Sequence, residues 1–216
     1  MFTYALPTAT TSFVGRTEEL TSIADLLADP QCRLLTLLGP GGIGKTRLAL
    51  QSAADQIPNF AHGVVFVPLN SVTSPDLIAS AVAGVLDLPF HGMGEIIRYL
   101  REKQLLLVLD NFEHLLDGSN LLSEILQAAP SVKLLVTSRE RLNLMEEWVI
   151  ALEGLHTPNG SDAPIESYSA VLLFVQRARQ MQANFALSEN EEAVKIICQR
   201  VEGMPLGLEL AASGCV

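Results

Sequence analysis

Apolar positions along the chain fall into two patterns. Arg33–Leu38, Val64–Pro68, Leu105–Asp110 and Lys133–Thr137 are short and almost continuously apolar. Runs of that length without alternation suit strands buried on both faces of a parallel sheet. Trp148–Leu152 is a weaker fifth run, with Trp148 expected in the core. Between these runs the apolar spacing becomes helical. Leu20, Ile23, Leu26 and Leu27 share one face of a helix from Thr17, and Pro30 ends it. Further helices are predicted over Lys45–Gln56, 75–87, 93–101 and 119–129. Strands alternating with helices imply βαβ units. The fold class is therefore α/β, with a parallel five-stranded sheet flanked by helices.

The pattern changes at 157–165, where Thr, Pro, Asn, Gly, Ser and Asp cluster as a linker. Only helices are predicted beyond it. Tyr168, Val171, Leu172 and Val175 make one stripe. Ser188-Glu189-Asn190-Glu191 reads as a capping box, with Ala193, Val194, Ile197, Cys198 and Val201 as the stripe that follows. Gly203 is expected to stop that helix, and a third begins near Pro205. The expected division is a P-loop domain over 1–157, with an irregular lead-in at 1–12, and a small helical domain over 165–216. The chain closes on an apolar stretch without a stop signal, which reads as part of a longer protein. No internal repeat is visible.

Composition narrows the function classes. The 216 residues are 49% hydrophobic and 18% charged, enough to bury a core. The net charge of -10 opposes unaided binding to a nucleic-acid backbone. It does not oppose a polyphosphate held by a local nest of N–H groups. Cys32, Cys198 and Cys215 are odd in number and widely spaced, so neither a disulfide framework nor a zinc site is expected. A reducing, cytoplasmic setting fits. No signal peptide and no membrane span are predicted. His62, His91, His114 and His156 lack partners at ligand spacing and read as structural or solvated.

The clearest chemistry lies at Gly39-Pro40-Gly41-Gly42-Ile43-Gly44-Lys45-Thr46, which fits G-x-x-x-x-G-K-[ST]. It follows a predicted strand and opens a predicted helix. Glycines let the backbone approach phosphate oxygens, and the free N–H groups of the helix start form an anion site. Lys45 reaches the β- and γ-phosphates, and the Thr46 hydroxyl is a Mg²⁺ ligand. Arg47 follows and joins the candidate nucleotide-binding set. The expected cofactors are ATP or ADP with Mg²⁺.

A second metal ligand is expected from Asp110, which ends an apolar strand at the sheet edge where ligands bind. Asn111 stands next, and an amide positions water without accepting its proton. Glu113 is the alternative for that task, or a helix N-terminal charge; both readings stand. Arg139 ends the strand Leu134-Leu135-Val136-Thr137-Ser138. Beside the acidic strand it is placed to read and stabilise the γ-phosphate. Lys45, Asp110, Asn111, Glu113 and Arg139 are the candidate catalytic residues, and slow hydrolysis is expected.

Together these segments resemble the nucleotide-binding domains of the STAND class, the signal-transduction ATPases with numerous domains. The similarity is to the NB-ARC-like, AAA+-related branch found in large bacterial transcriptional regulators. Phe13-Val14-Gly15-Arg16-Thr17-Glu18-Glu19-Leu20 resembles that family's N-terminal box. The resemblance implies that Val14 and Arg16 touch the adenine. Leu109–Leu115 resembles its Walker B segment, and Thr137-Ser138-Arg139 its sensor triplet. Gly203-Met204-Pro205-Leu206 is similar to its GLPL motif, which implies that Pro205 packs on the base. The family's winged-helix, sensor and effector domains have no counterpart within the 216 residues.

The reading that results is an ATP/ADP switch, with nucleotide held between sheet domain and helical domain, slow Mg²⁺-dependent hydrolysis, and signalling through self-association or partner domains. No direct nucleic-acid or membrane contact by these residues is expected. The alternative is a non-hydrolysing, ADP-holding interaction module, which Asn111 favours. A GTPase reading lacks an N-K-x-D motif. A kinase reading lacks an arginine-rich lid, since the C-terminal helices offer only Arg177, Arg179 and Arg200.

Overall fold

The computed structural model describes residues 6–7, 11–89, 92–158 and 163–214. Expectations for most of the lead-in, for His91, for part of the linker and for Cys215 lie outside them. The chain forms two compact units. Among the described residues, one comprises Glu18–Gly39 and Lys45–Ala151; the other comprises Thr11–Thr17, Pro40–Gly44 and the residues from Leu152 onward.

The first unit is built on strands β1 (Leu34–Leu38), β2 (Val64–Pro68), β3 (Leu106–Asp110), β4 (Lys133–Ser138) and β5 (Glu147–Ala151). They make one parallel sheet in the order β2-β3-β4-β1-β5. The register pairs Leu38 with Ser138 and Pro68 with Asp110, so the carboxyl ends of β1 to β4 lie along one edge. All five β3 residues are buried. Leu107 and Leu109 face a core that also takes Val65, Val67, Leu134 and Val136. Helices α3 (Ile78–Val85), α4 (Met93–Leu100) and α5 (Asn120–Ala128) complete it through Ile78, Val82, Ile96, Leu100, Leu122 and Ile125. Each such side chain contributes about 1.5–3 kcal/mol on full burial. Leu106 and Val108 are equally buried and, by the alternation of a strand, face the opposite side. Helices α1 (Thr17–Ala28) and α2 (Lys45–Gln56) complete the unit, and α2 runs against β1 to β4.

Two basic side chains hold helix ends at the other edge. Arg33 donates to the carbonyls of Leu126, Ala129 and Val132 at 2.7, 2.6 and 3.1 Å. Lys133 Nζ donates to Asp29 O at 2.5 Å. Cations there satisfy terminal carbonyls and complement the helix dipole. Burial lowers the pKa of both. Cys32 is buried nearby, and burial pushes its thiol up to about 11.

Trp148 was expected in the core, yet it is 40% exposed. β5 is an edge strand, paired only with β1, and none of its residues is fully buried. An edge strand needs less double-sided cover, and its run reads weakly for the same reason.

The second unit packs α6 (Ser169–Met181) against α7 (Leu187–Arg200) and α8 (Pro205–Gly214). Its core includes Val171, Phe174, Leu187, Val194, Cys198 and Leu208. The stripe predicted on α6 is displaced. Ala170, Val171, Leu173, Phe174 and Ala178 are buried, while Leu172 is 45% exposed. The capping box is also not formed. The helix already begins at Leu187, whose buried side chain belongs to the core, and the N-cap Ala186 has no side-chain bond. Ser188 therefore lies inside the first turn. At the other end Gly203 N–H donates to Cys198 O and Glu202 N–H to Gln199 O, both at 3.0 Å. This is a Schellman closure in which Glu202, at φ 51, takes the left-handed turn ahead of Gly203. No helix among the described residues is long and apolar enough to cross a membrane.

Candidate functional site

In the first unit the site starts where β1 ends. Gly39 N–H donates to Ser138 O at 3.2 Å, which carries the β1–β4 ladder into the loop. α2 opens at Lys45. The Lys45 side chain is buried and its Nζ donates to Gly39 O at 2.7 Å. Burial lowers the Lys45 pKa most, and Arg139 adds to that; Glu113 and Asp110 oppose it. Thr46 follows, and its hydroxyl donates to Asp110 Oδ1 at 2.7 Å. Arg47 is half-buried on the same first turn.

Asp110, at the end of β3, is buried. Its Oδ1 accepts a second hydroxyl, from Thr137 at 2.7 Å. Asn111 then turns at φ 68, a left-handed conformation that asparagine tolerates better than most residues. Its backbone N–H donates to Thr137 Oγ1 at 2.8 Å. The Asn111 side-chain nitrogen lies 3.5 Å from His114 Nδ1, and His114 Nε2 lies 2.8 Å from Val72 O. A carbonyl only accepts, so the neutral ring carries its proton on Nε2 and offers Nδ1 as acceptor. Arg139 Nε stands 2.8 Å from Glu113 Oε1. The other oxygen, Glu113 Oε2, is buried without a hydrogen-bond partner.

The crown of the loop, Pro40–Gly44, groups with the second unit. Gly42 has φ +81, and a Cβ there would sit 2.8 Å from Leu206 Cβ. Leu206 N–H donates to Gly42 O at 3.2 Å. Arg16 is buried, and its guanidinium donates to Ile43 O at 3.2 Å and to Glu153 O at 2.5 Å. Arg16 thus grips main-chain carbonyls, one of them in the crown. Val14 packs on the helical core. Pro205 opens α8, with its Cγ 3.9 Å from where a Gly44 Cβ would lie. Gly41 and Pro40 are exposed, and Ile43 is buried.

Of the sequence-expected residues, the first unit gathers Gly39, Lys45, Thr46, Asp110, Asn111, Glu113 and Arg139 around one sheet edge. The second gathers Val14, Arg16, the crown and Pro205. Sequence reasoning missed Thr137 and Leu206 as individual contributors, while His114, held on the Val72 carbonyl, fits the structural reading given to it. The signal for Thr137 was available: a hydroxyl beside the end of an apolar strand has no packing reason to be there.

The donor set suits Mg²⁺. That ion takes one or two protein oxygens and completes its shell with phosphates and water, and here a threonine hydroxyl and a carboxylate lie 2.7 Å apart. Among the described residues no group of three or more His, Cys, Asp or Glu could hold a metal, so a dedicated protein cage is not the pattern.

A parallel sheet with a Gly-rich loop between β1 and α2, and a carboxylate at the end of β3, defines a P-loop NTPase fold of AAA type. Residues 28–144 match the AAA domain family (AAA_22), and the chain belongs to that family. An uncharacterized protein of Mycobacterium bovis is 36% identical over 209 residues, covering 94% of this chain and 50% of its own length. A candidate HTH-type transcriptional regulator of Mycobacterium tuberculosis is 36% identical over 189 residues, covering 85% of this chain and 20% of its own. The chain thus spans half or less of these curated relatives. Among solved structures, a STAND protein with a tetratricopeptide repeat sensor from Pyrococcus horikoshii superimposes with a TM-score of 0.59 at 18% identity. That match covers 97% of this chain and 31% of the other, and what it shares is the fold.

Proposed function

We propose that this chain is a nucleotide-operated switch module that binds ATP or ADP with Mg²⁺, hydrolyses ATP slowly, and works within a larger multidomain regulator. The observation that carries the reading is the 2.7 Å bond from Thr46 Oγ1 to Asp110 Oδ1. It puts the P-loop hydroxyl and the strand-end carboxylate within reach of a single hard cation. Lys45, buried and held on Gly39 O, is poised to turn to the β- and γ-phosphates. Val14, Arg16 and Pro205 are the proposed base-side residues, with Gly39–Thr46 and Arg47 for the phosphates. The proposed boundaries are 1–157 and 165–216.

In the proposed hydrolysis a water attacks the γ-phosphorus in line with the bridging oxygen, the bond to ADP breaks, and ADP and phosphate leave. Thr46 and Asp110 would hold Mg²⁺, which would neutralise charge developing on the transferred phosphoryl group. Asn111 orients the water, and Glu113 accepts its proton once Arg139 turns from Glu113 to the γ-phosphate. The regulator name carried by one relative supports an output in transcription, delivered by domains outside this chain and by self-association. Action in the cytoplasm belongs to the same proposal, on the odd number and wide spacing of the cysteines.

A second reading has its own support. Glu113 is engaged by Arg139, and an amide stands where a second acid is common, which favours a module that holds ADP without turnover. Radiolabelled ATP separates the two. Phosphate release that disappears in Lys45→Ala establishes the switch reading, while tight ADP retention with no release establishes the holding module. A protein that binds neither nucleotide, or prefers GTP, overturns both.

A further inference from the structure

Thr137 lies on β4, the strand between β1, which leads into the P-loop, and β3, which carries Asp110. It is 1% exposed, so its hydroxyl faces no bulk water. A threonine hydroxyl has one proton to give and lone pairs to receive. Thr137 gives its proton to Asp110 Oδ1 at 2.7 Å and receives the Asn111 N–H at 2.8 Å. One buried oxygen therefore touches both the carboxylate expected to face the cation and the backbone of the residue expected to face the water.

The charge pattern follows. Asp110 Oδ1 already takes the Thr46 hydroxyl, also at 2.7 Å. With Thr137 it has two donors, so the carboxylate plane is fixed and Oδ2 is the oxygen left to direct charge outward. The second bond holds Asn111 at φ 68, where the chain must leave β3 sharply. A valine of the same shape keeps the packing and removes both bonds. It leaves the Asp110 carboxylate held by the Thr46 hydroxyl alone and the Asn111 N–H without its acceptor.

We propose that Thr137 is a positioning residue for the Mg²⁺ site: it aims Asp110 at the cation and sets the backbone of Asn111, without itself touching nucleotide. The proposal rests on the nucleotide-switch reading above. Partners that orient a metal ligand characteristically alter metal affinity by about 10–100-fold when removed. The effect therefore belongs on the Mg²⁺ dependence and not on the nucleotide itself.

The test compares wild type, Thr137→Val and Thr137→Ser by calorimetric titration with ATP, in EDTA and across a Mg²⁺ series. Hydrogen exchange at the Asn111 amide is followed in the nucleotide-free protein. The expected result is that Thr137→Val binds ATP in EDTA like wild type, needs about tenfold more Mg²⁺ for the same tightening, and exchanges the Asn111 amide faster. Thr137→Ser, which keeps the hydroxyl, restores both readouts. Unchanged Mg²⁺ dependence in Thr137→Val overturns the proposal, as does a Thr137→Ser variant as impaired as the valine. An equal loss of affinity in EDTA and in Mg²⁺ also overturns it, because that signals general damage. A wild type that binds no ATP at all fails the switch reading itself and takes this proposal with it.

Discussion

Arg139 Nε sits 2.8 Å from Glu113 Oε1, joining the segment after β4 to the segment after β3. The two partners differ in burial: the Arg139 side chain is 60% exposed, and that of Glu113 only 13%. The pair is therefore an exposed cation resting on a largely buried carboxylate. An exposed cation contributes less than about 1 kcal/mol to folding, so the pair earns little stability. Its consequence lies in turnover. Glu113→Gln is expected to slow single-turnover hydrolysis by about 100-fold, the scale of a lost general base. Arg139→Ala is expected to slow it at least as much, because the γ-phosphate loses a stabilising charge. The double variant should fall well short of the product of the two losses, since both residues act through one contact. Single-turnover rates at saturating ATP and Mg²⁺ decide this. Full additivity, or rates unchanged in both single variants, refutes the coupling.

Lys45, proposed above to bind phosphate, is expected to weaken the nucleotide-free protein. Its ammonium is buried, and burial depresses its pKa below the ordinary lysine value. The sign follows from linkage. Below the lowered folded value the charge is present in both states, and its burial penalty acts in full. As pH rises from the folded value toward the unfolded one, the folded state sheds the proton first and stability rises. Lys45→Met should therefore melt at or above wild type at neutral pH without nucleotide. Saturating ATP with Mg²⁺, at about 100 times the dissociation constant, should stabilise wild type by about 2.7 kcal/mol and leave the variant unmoved. Thermal melts with and without nucleotide provide the check. A nucleotide-free variant melting well below wild type contradicts the burial penalty.

What could be read without coordinates was whatever is contiguous in the chain. β3 was legible because double-sided burial makes Leu106–Asp110 apolar at every position before the carboxylate. α2 was legible because the P-loop marks its start, and it runs over Lys45–Gln56 as expected. The failures share a different cause. Trp148 was misplaced because the position of β5 at the edge depends on strand order, which no local pattern carries. The capping box at Ser188 was misread because the buried Leu187 starts the helix earlier, a tertiary preference overriding a local one. Thr137 and Arg33 act across 27 residues and more of intervening chain, so their partners were invisible to spacing. The phosphate loop could be recognised from the sequence; the Thr137 hydroxyl stood out there too, but its partners Asp110 and Asn111 did not.

Two glycine contacts in the second unit, one against main chain and one against a side chain, make a graded test of its packing. A Cβ on Gly154 would lie 1.8 Å from Glu202 O, where Leu155 N–H donates to Gly203 O at 2.8 Å. Both sides of that crossing are main chain, so nothing can swing away. A Cβ on Gly42 would instead meet the Leu206 side chain at 2.8 Å, with the added strain of φ +81. Gly42→Ala is expected to destabilise by about 1–3 kcal/mol. Gly154→Ala should exceed that, at about 4 kcal/mol or more, because the Schellman turn at Glu202 must move or the crossing must open. Leu206→Ala should recover only a small part of the Gly42→Ala loss, because it clears the Leu206 Cδ2 at 3.0 Å but keeps the Cβ at 2.8 Å and the strain of φ +81. It should recover none of the Gly154→Ala loss. Denaturant unfolding, with hydrogen exchange of α6 to α8 to localise the change, reads the order directly. Gly154→Ala at wild-type stability, or full recovery of Gly42→Ala by Leu206→Ala, contradicts the assignment of these two contacts.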